Sequence, residues 1–199
     1  MDTSSREYEQ LRLAVLSRML KNDYSVVVAC VDAVFGYTLP PQVLQERTLR
    51  LVAGETLPVE SLPAVLSAAG YERCDQIEGA GQFAVRGGIV DVYPAQNASP
   101  LRIELWGNTV DTISQFDLLS QRRTESLKEA DIPPAGEISY DSAEELAGRL
   151  EELAQNLSGK RAAAVRESLQ KDIDRLRGGA LPTALDKYLP LIYPQAVTS

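Results

Sequence analysis

Apolar and polar residues alternate with a short period between residues 71 and 116, as in β-strands that bury one face. The segments predicted as strands are 71–78, 82–93, 101–106 and 109–116, with a further short strand around 48–52. Glycine, proline and asparagine separate most of these segments, as in the turns between antiparallel strands. A helix is predicted over 59–69, where Gly70 has the position of a C-cap glycine. Together the elements predict an α+β domain at 44–128, a bent antiparallel sheet with one helix packed on it.

The flanking residues 1–43 and 129–199 have a different pattern. Helices are predicted over 4–21, 142–156 and 160–177, and a linker over 131–137, and an apolar tail at 189–193 is expected to dock. The uninterrupted apolar run Tyr24–Val31 is typical of a strand buried on both faces of a parallel sheet. One such strand cannot form a sheet, so we expect a partial α/β layer that belongs to a larger protein and carries 44–128 as an insert.

Residues 82–93 contain a change in the alternation. The apolar positions change parity across Gly87-Gly88, which we interpret as a β-bulge that moves later side chains to the other face. This register places Arg86, Asp91 and Tyr93 on one face. Arginine beside an aromatic ring is a common anchor of protein interfaces, although arginine on the polar face of a strand is more often simply solvated. The side chains predicted to be buried are Val26, Val28, Phe83, Val85, Val90, Ile103 and Leu105.

Composition excludes several classes of protein. The net charge of −8 gives no basic footprint for duplex nucleic acid, and no apolar run is long enough to span a membrane. The polar, acidic N-terminus is unlike a signal peptide, so we expect a cytoplasmic location. Histidine is absent, which removes histidine-based triads and most zinc sites. The two cysteines, Cys30 and Cys74, are expected to be buried free thiols. Segment 154–161 fails to match a phosphate-binding loop, and the sequence has no Gly-x-Ser-x-Gly motif, no Cys-x-x-Cys motif and no cluster with metal-ligand spacing. The chain therefore offers no credible catalytic or metal site and is not expected to be an enzyme.

Several short motifs occur in the order found in UvrB and in the transcription-repair coupling factors (Mfd). They are Tyr71-Glu72-Arg73, Gly81-Gln82-Phe83, Val85-Arg86-Gly87, Asp91-Val92-Tyr93-Pro94 and Arg102-Ile103-Glu104. Segment 25–40 resembles the residues that lead into this module. Three further features are more similar to the coupling factors than to UvrB: Gly-Gly after Arg86, Phe116-Asp117 followed by Gln121-Arg122, and the tail Tyr188-Leu189-Pro190-Leu191.

The resemblance implies a binding module: a small α+β domain, inserted in a helicase-like, P-loop-type domain, that docks the repair protein UvrA. The docking arginines of the family fall on Arg73 and Arg86, and the aromatic residue before proline falls on Tyr93. Ala84 stands where UvrB often has a further arginine.

The family also implies that ATP, magnesium, DNA and RNA polymerase are bound by other domains of the parent protein, an ATP-dependent DNA translocase. No cofactor is expected in this chain. The alternative is a fragment of a UvrB-like helicase-family enzyme that contributes to an ATP or DNA site.

Overall fold

A computed structural model describes residues 3–57, 62–138, 140–159, 162–178, 182, 185–194 and 197–198. Packing divides the chain into two compact units. We call Arg6–Ser25 with Pro41–Glu137 the sheet unit, and Met1–Ser5, Val26–Pro40 and Ile138–Ser199 the helical unit. This division differs from the predicted one, because most of the first helix groups with the sheet and not with the flanks. The assignment of the flanks to a helicase-like layer stays a prediction.

The helices and strands of the described residues are given in chain order. They are α1 (Thr3–Leu20), α2 (Val31–Phe35), β1 (Tyr37–Thr38), α3 (Pro41–Glu46), β2 (Leu49–Val52), α4 (Leu62–Ala68), β3 (Glu72–Arg73), β4 (Gln82–Arg86), β5 (Ile89–Val92), β6 (Leu101–Trp106), β7 (Thr109–Phe116), β8 (Arg123–Leu127), β9 (Glu129–Ile132), α5 (Tyr140–Asn156), α6 (Ala162–Arg177), a 3-10 turn (Asp186–Tyr188), α7 (Leu189–Ile192) and β10 (Val197–Thr198).

The sheet unit is built on six strands in the order β3-β4-β5-β6-β7-β8. All neighbours are antiparallel except β3 and β4, which are parallel. One face of the sheet packs against α4 and against the separate β2–β9 pair. The core on this face comprises Leu51, Leu62, Leu66, Tyr71, Phe83, Val90, Val92, Leu101, Ile103, Val110, Ile113, Ile132 and Ala135. The predicted α+β domain with a helix on its sheet is therefore confirmed, although 58–61 lie outside the described residues.

The predicted burial of this face is also confirmed in its main points. Phe83, Val90 and Ile103 are at most 2% exposed. Val85 and Leu105 are half-buried and pack against the same core. Strand β8 was missed, because the polar segment Arg123–Leu127 has no apolar alternation.

The interpretation of Gly87-Gly88 as a bulge is wrong. The two glycines form the turn of a hairpin, since Arg86 is the register partner of Ile89 across β4 and β5. Gly87 has a φ of +59°, and glycine at the first position of a two-residue turn is the pattern of type II′. A hairpin of this length also changes the parity of the apolar positions, so the predicted faces are nevertheless correct.

The predicted linker at 131–137 is wrong as well. Strand β9 extends into it, and residues 132–137 are buried. The backbone there is held from distant parts of the chain: the Tyr71 hydroxyl donates to the carbonyl of Pro133 at 2.7 Å, and Ala135 N donates to the carbonyl of Ala69 at 2.8 Å. Arg47 donates to the carbonyl of Glu137 at 2.9 Å. Pro133 and Pro134 are therefore buried parts of a packed segment and not of a flexible linker.

The predicted buried strand at Tyr24–Val31 does not form in the described structure. Val26 is 77% exposed and Val28 is 92% exposed, so their predicted burial is wrong. A strand of a parallel sheet needs hydrogen-bonded neighbours, and residues 26–30 have no strand assignment. Cys30, within the same run, is an exposed free thiol, and Cys74 is a half-buried one. Both cysteines are free as predicted, but neither is fully buried.

The helical unit has its own core between α5, α6 and α7. Its buried residues, among those that the structure describes, are Ile138, Leu146, Ala147, Leu150, Ile173, Leu176, Leu185, Tyr188, Leu189 and Ile192. Leu189 and Ile192 come from the tail, so the prediction that the tail docks is confirmed. The Tyr188 hydroxyl donates to Asp172 of α6 at 2.7 Å and fixes the turn that precedes α7.

Candidate functional site

The second face of the six-stranded sheet is polar, and its side chains follow from strand register. Asp91 of β5 lies opposite Ala84 of β4 on one side and Arg102 of β6 on the other. One pleat further along, Arg86 lies opposite Ile89, which in turn lies opposite Glu104. Partners across a ladder point to the same side of a sheet, so these residues form one surface, which we call the polar face.

Asp91 is the centre of this face. Its side chain is only 2% exposed and accepts hydrogen bonds from two arginines. Arg86 Nη2 donates at 2.6 Å, and Arg102 donates through Nε at 2.7 Å and Nη2 at 2.9 Å. The Arg102 bonds form a fork on the two carboxylate oxygens, which is the strong geometry of an arginine–carboxylate pair. The hydrogen bond with Asp91 raises the pKa of Arg102, which keeps its charge.

Arg102 is held from a second direction. It donates to Gln121, to the carbonyl at 3.2 Å and to Oε1 at 3.1 Å, and its guanidinium lies 4.3 Å from the Phe116 ring centroid. Gln121 has a positive φ of 58° within the turn from 117 to 122. Asp117 stabilises this turn by accepting from Ser120 N at 2.8 Å and Ser120 Oγ at 2.7 Å. The turn thereby fixes the inner arginine of the polar face.

Arg86 differs from Arg102 in exposure. Its side chain is 48% exposed, whereas that of Arg102 is 13% exposed. Because the single carboxylate of Asp91 serves both arginines, the group of three carries one surplus positive charge. Glu104 and Arg123 form a further ion pair on this face, and that pair is neutral overall. Arg86 therefore presents an oriented guanidinium to solvent, and the group of Asp91, Arg86 and Arg102 to which it belongs has a net positive charge.

Tyr93 lies on the polar face as predicted, but not beside Arg86. The Tyr93 backbone is hydrogen-bonded to Gly81 and Gln82. Tyr93 follows Ile89, the register partner of Arg86, by four residues of extended chain, so the Cα atoms of Tyr93 and Arg86 are roughly 14 Å apart. The ring is half-buried against the small cluster of Ile77, Ala84 and Phe116, and its hydroxyl donates to the carbonyl of Ala98 at 3.2 Å. Tyr93 is thus partly a structural residue.

Arg73 lies elsewhere. It is an exposed residue of the two-residue edge strand β3, in register with Phe83 of β4. Phe83 belongs to the core face, so register places Arg73 on the side of the sheet opposite to Arg86 and Tyr93. The structure therefore brings two of the three predicted residues to one face and leaves the third at the edge.

Sequence reasoning missed Arg102, Glu104, Arg123 and Trp106 of the polar face. The alternation of β6 contained a usable signal, because residues 102, 104 and 106 share a face whose opposite side is apolar. Among the described residues, no group of three or more histidine, cysteine, aspartate or glutamate side chains could hold a metal ion. None of the helices that the structure describes is both long enough and apolar enough to cross a membrane.

The sheet unit is thus an α+β domain whose mainly antiparallel sheet has one face covered by α4 and the β2–β9 pair and one charged face. Residues 49–137 match the family model described as the UvrB interaction domain.

The chain is similar to longer proteins over much of its length. It is 31% identical over 198 residues to the transcription-repair-coupling factor of Bacillus subtilis (strain 168), covering 96% of this chain and 17% of that protein. It is 29% identical over 176 residues to the transcription-repair-coupling factor of Myxococcus xanthus, covering 88% and 14%. The UvrABC system protein B of Neisseria meningitidis serogroup A is 35% identical over 121 residues, or 60% of this chain and 18% of that protein. The chain thus spans less than a fifth of the length of these relatives.

Proposed function

We propose that the sheet unit is the UvrA-docking module of a transcription-repair coupling factor and acts by binding, without catalysis of its own. The proposal rests on the match of residues 49–137 to the UvrB interaction domain and on the similarity to coupling factors along nearly the whole chain. In this function the module recruits nucleotide excision repair, while DNA, RNA polymerase and ATP are bound by other parts of the parent protein.

The observation that carries the proposal is the oriented Arg86 on the polar face. Asp91 holds the guanidinium at 2.6 Å, yet almost half of the side chain stays exposed to a partner. A guanidinium that is already positioned loses less conformational freedom on binding than a free one. It can also hold a carboxylate with two parallel bonds, which lysine cannot do. Arg73 and Tyr93 are proposed as further contacts, at the edge and at the far end of the sheet.

The direct test is a titration of the chain with purified UvrA. We expect Arg86→Ala to weaken binding by roughly thirtyfold, which corresponds to about 2 kcal/mol for a truncated interface anchor. Arg86→Lys should restore only part of the affinity, since it keeps the charge and loses the fork. Arg73→Ala should have a smaller effect of the same sign.

The matched control is Arg50→Ala. Arg50 lies in the same unit, is similarly exposed and is also paired with a carboxylate, Glu129, at 2.7 Å, but it belongs to the separate β2–β9 pair. Its removal should leave the affinity unchanged. Equal affinities of the parent chain and the Arg86→Ala and Arg73→Ala variants would show that the docking residues have been misplaced.

The alternative of an enzyme fragment predicts a different measurement. Stoichiometric binding of ATP by this chain, or turnover above that of a buffer control, would contradict the non-catalytic function and favour a nucleotide site in the helical unit.

A further inference from the structure

Trp106 is the one tryptophan of the chain, and it lies in solvent. It ends β6, and its side chain is 83% exposed. A tryptophan side chain carries on the order of 150–250 Å² of largely apolar surface, which favours burial. Exposure of this size on a well-defined strand therefore marks a position where contact with another molecule would be favourable.

Register places Trp106 on the polar face, at the end of the sheet where Arg86 lies. Residues 102, 104 and 106 alternate with the core residues Ile103 and Leu105, and Leu105 N donates to the carbonyl of Gly88 in the neighbouring hairpin turn at 2.8 Å. Trp106 lies two strands across and two residues along from Arg86, or roughly 12 Å between Cα atoms. The half-buried Ile89 lies between them. We call Arg86, Ile89 and Trp106 the tryptophan corner.

The two hairpin turns at this end leave the corner open. A Cβ atom added to Gly87 or to Gly107 would meet no atom within 4 Å. No side chain on either glycine screens the indole or the guanidinium from an approaching surface. The corner thus combines an aromatic ring and an oriented cation, which are the side-chain types enriched among interface anchors, with an aliphatic side chain between them.

We propose that the tryptophan corner is a docking anchor for a protein partner that offers an apolar socket for the indole and a carboxylate for Arg86. The proposal rests on the proposed function and adds a contact residue to it, with UvrA as the partner to be tested. A second copy of this chain does not fit the corner as well. A two-fold contact would bring two equally cationic corners together, between chains that each carry a net charge of −8.

The experiment uses the single tryptophan as its own reporter. The chain is labelled with 5-fluorotryptophan, and its fluorine resonance is followed while unlabelled UvrA is added. We expect the resonance to shift on binding and to lose its sensitivity to exchange of H₂O for D₂O, as the indole leaves water. In parallel, Trp106→Ala should weaken binding by roughly tenfold or more, as for a truncated anchor, and Trp106→Phe should retain most of the affinity.

Leu119→Ala is the matched control. Leu119 is 96% exposed and apolar, but it lies in the turn after β7, at the opposite end of the sheet. The Leu119→Ala variant should bind UvrA like the parent chain. The melting temperatures of the Trp106 and Leu119 variants should agree with that of the parent chain, because the side chains of Trp106 and Leu119 are exposed.

Two outcomes would overturn the inference, and they are distinguishable. If Arg86→Ala weakens binding while Trp106→Ala binds like the parent and the fluorine resonance does not move, the corner is not an anchor and the proposed function stands. If the parent chain itself does not bind UvrA, the proposed function fails and the inference fails with it.

Discussion

Removal of the Asp91 carboxylate is the perturbation that most directly tests the architecture of the polar face. Asp91 is 2% exposed and accepts three charge-assisted hydrogen bonds from two arginines. Removing one partner of a buried ion pair costs about 3 to 5 kcal/mol, because the remaining charge is left without compensation. In Asp91→Ala this charge is mainly that of Arg102, which is 13% exposed.

The structure favours the lower end of that range. Arg86 is half-exposed, so water can take over its solvation, and its pairing with Asp91 is screened. Arg102 would keep its contacts to Gln121 and to the Phe116 ring. We therefore expect Asp91→Ala to lower the free energy of unfolding by about 3 kcal/mol. For a chain of this size that corresponds to a fall in melting temperature of roughly 6–12 °C.

The assay is urea unfolding monitored by circular dichroism, with Arg86→Ala as the comparison. Arg86→Ala leaves Asp91 its two bonds from Arg102 and removes a partly exposed pair, so its cost should be about 1 kcal/mol or less. Comparison of the two variants thus distinguishes the contribution of the Asp91 carboxylate to the free energy of unfolding from that of Arg86. An Asp91→Ala variant as stable as Arg86→Ala would refute the assignment of Asp91 as the centre of the polar face.

Two further predictions concern backbone and pH. Gly70→Ala should destabilise the sheet unit by about 2 kcal/mol or more in urea unfolding, because Gly70 has a φ of +91° and the new Cβ would lie 2.9 Å from Gly136 N. Gly87→Ala, with positive φ but open space, should cost clearly less, and equal costs would exclude the close approach as a cause. Hydrogen bonds from Ser120 lower the pKa of Asp117, so its stabilisation of the turn is present above the unfolded pKa and is lost as pH falls through the folded pKa. The carboxyl chemical shift of Asp117 should therefore titrate at lower pH in the folded chain than in the chain unfolded in urea. An equal titration midpoint in both states would contradict the turn geometry.

The sheet could be predicted from sequence because its information is local. Alternation over a few residues determines which side chains face the core, and Phe83, Val90 and Ile103 are buried as this rule requires. The same rule cannot distinguish a bulge from a two-residue hairpin at Gly87-Gly88, since both change the parity of the later apolar positions. The length of the segment distinguishes the two: residues 82–93 are more numerous than those of a usual single strand, and Gly-Gly between two short apolar runs is a hairpin signal.

The failures share a dependence on distant partners. Tyr24–Val31 has the composition of a buried strand, but burial requires neighbouring strands that a local pattern cannot supply. Segment 131–137 has the composition of a linker, yet it is fixed by Tyr71, Ala69 and Arg47, between 62 and 90 residues away. Hydrogen bonds of such sequence separation leave no periodic signal in the segment itself.

The same distinction ranks the candidate docking residues. Sequence motifs mark Arg73 and Arg86 alike, but only Arg86 is oriented by a buried carboxylate, which is itself fixed by Arg102 and the turn at Gln121. Arg73 stands on an edge strand of two residues, where its long side chain keeps its freedom and must lose it on binding. Since affinity is the free energy that remains after such ordering costs, equal contacts with a partner would stabilise the complex more through Arg86. The polar face, and not the motif alone, is therefore the reason why we propose Arg86 as the principal anchor.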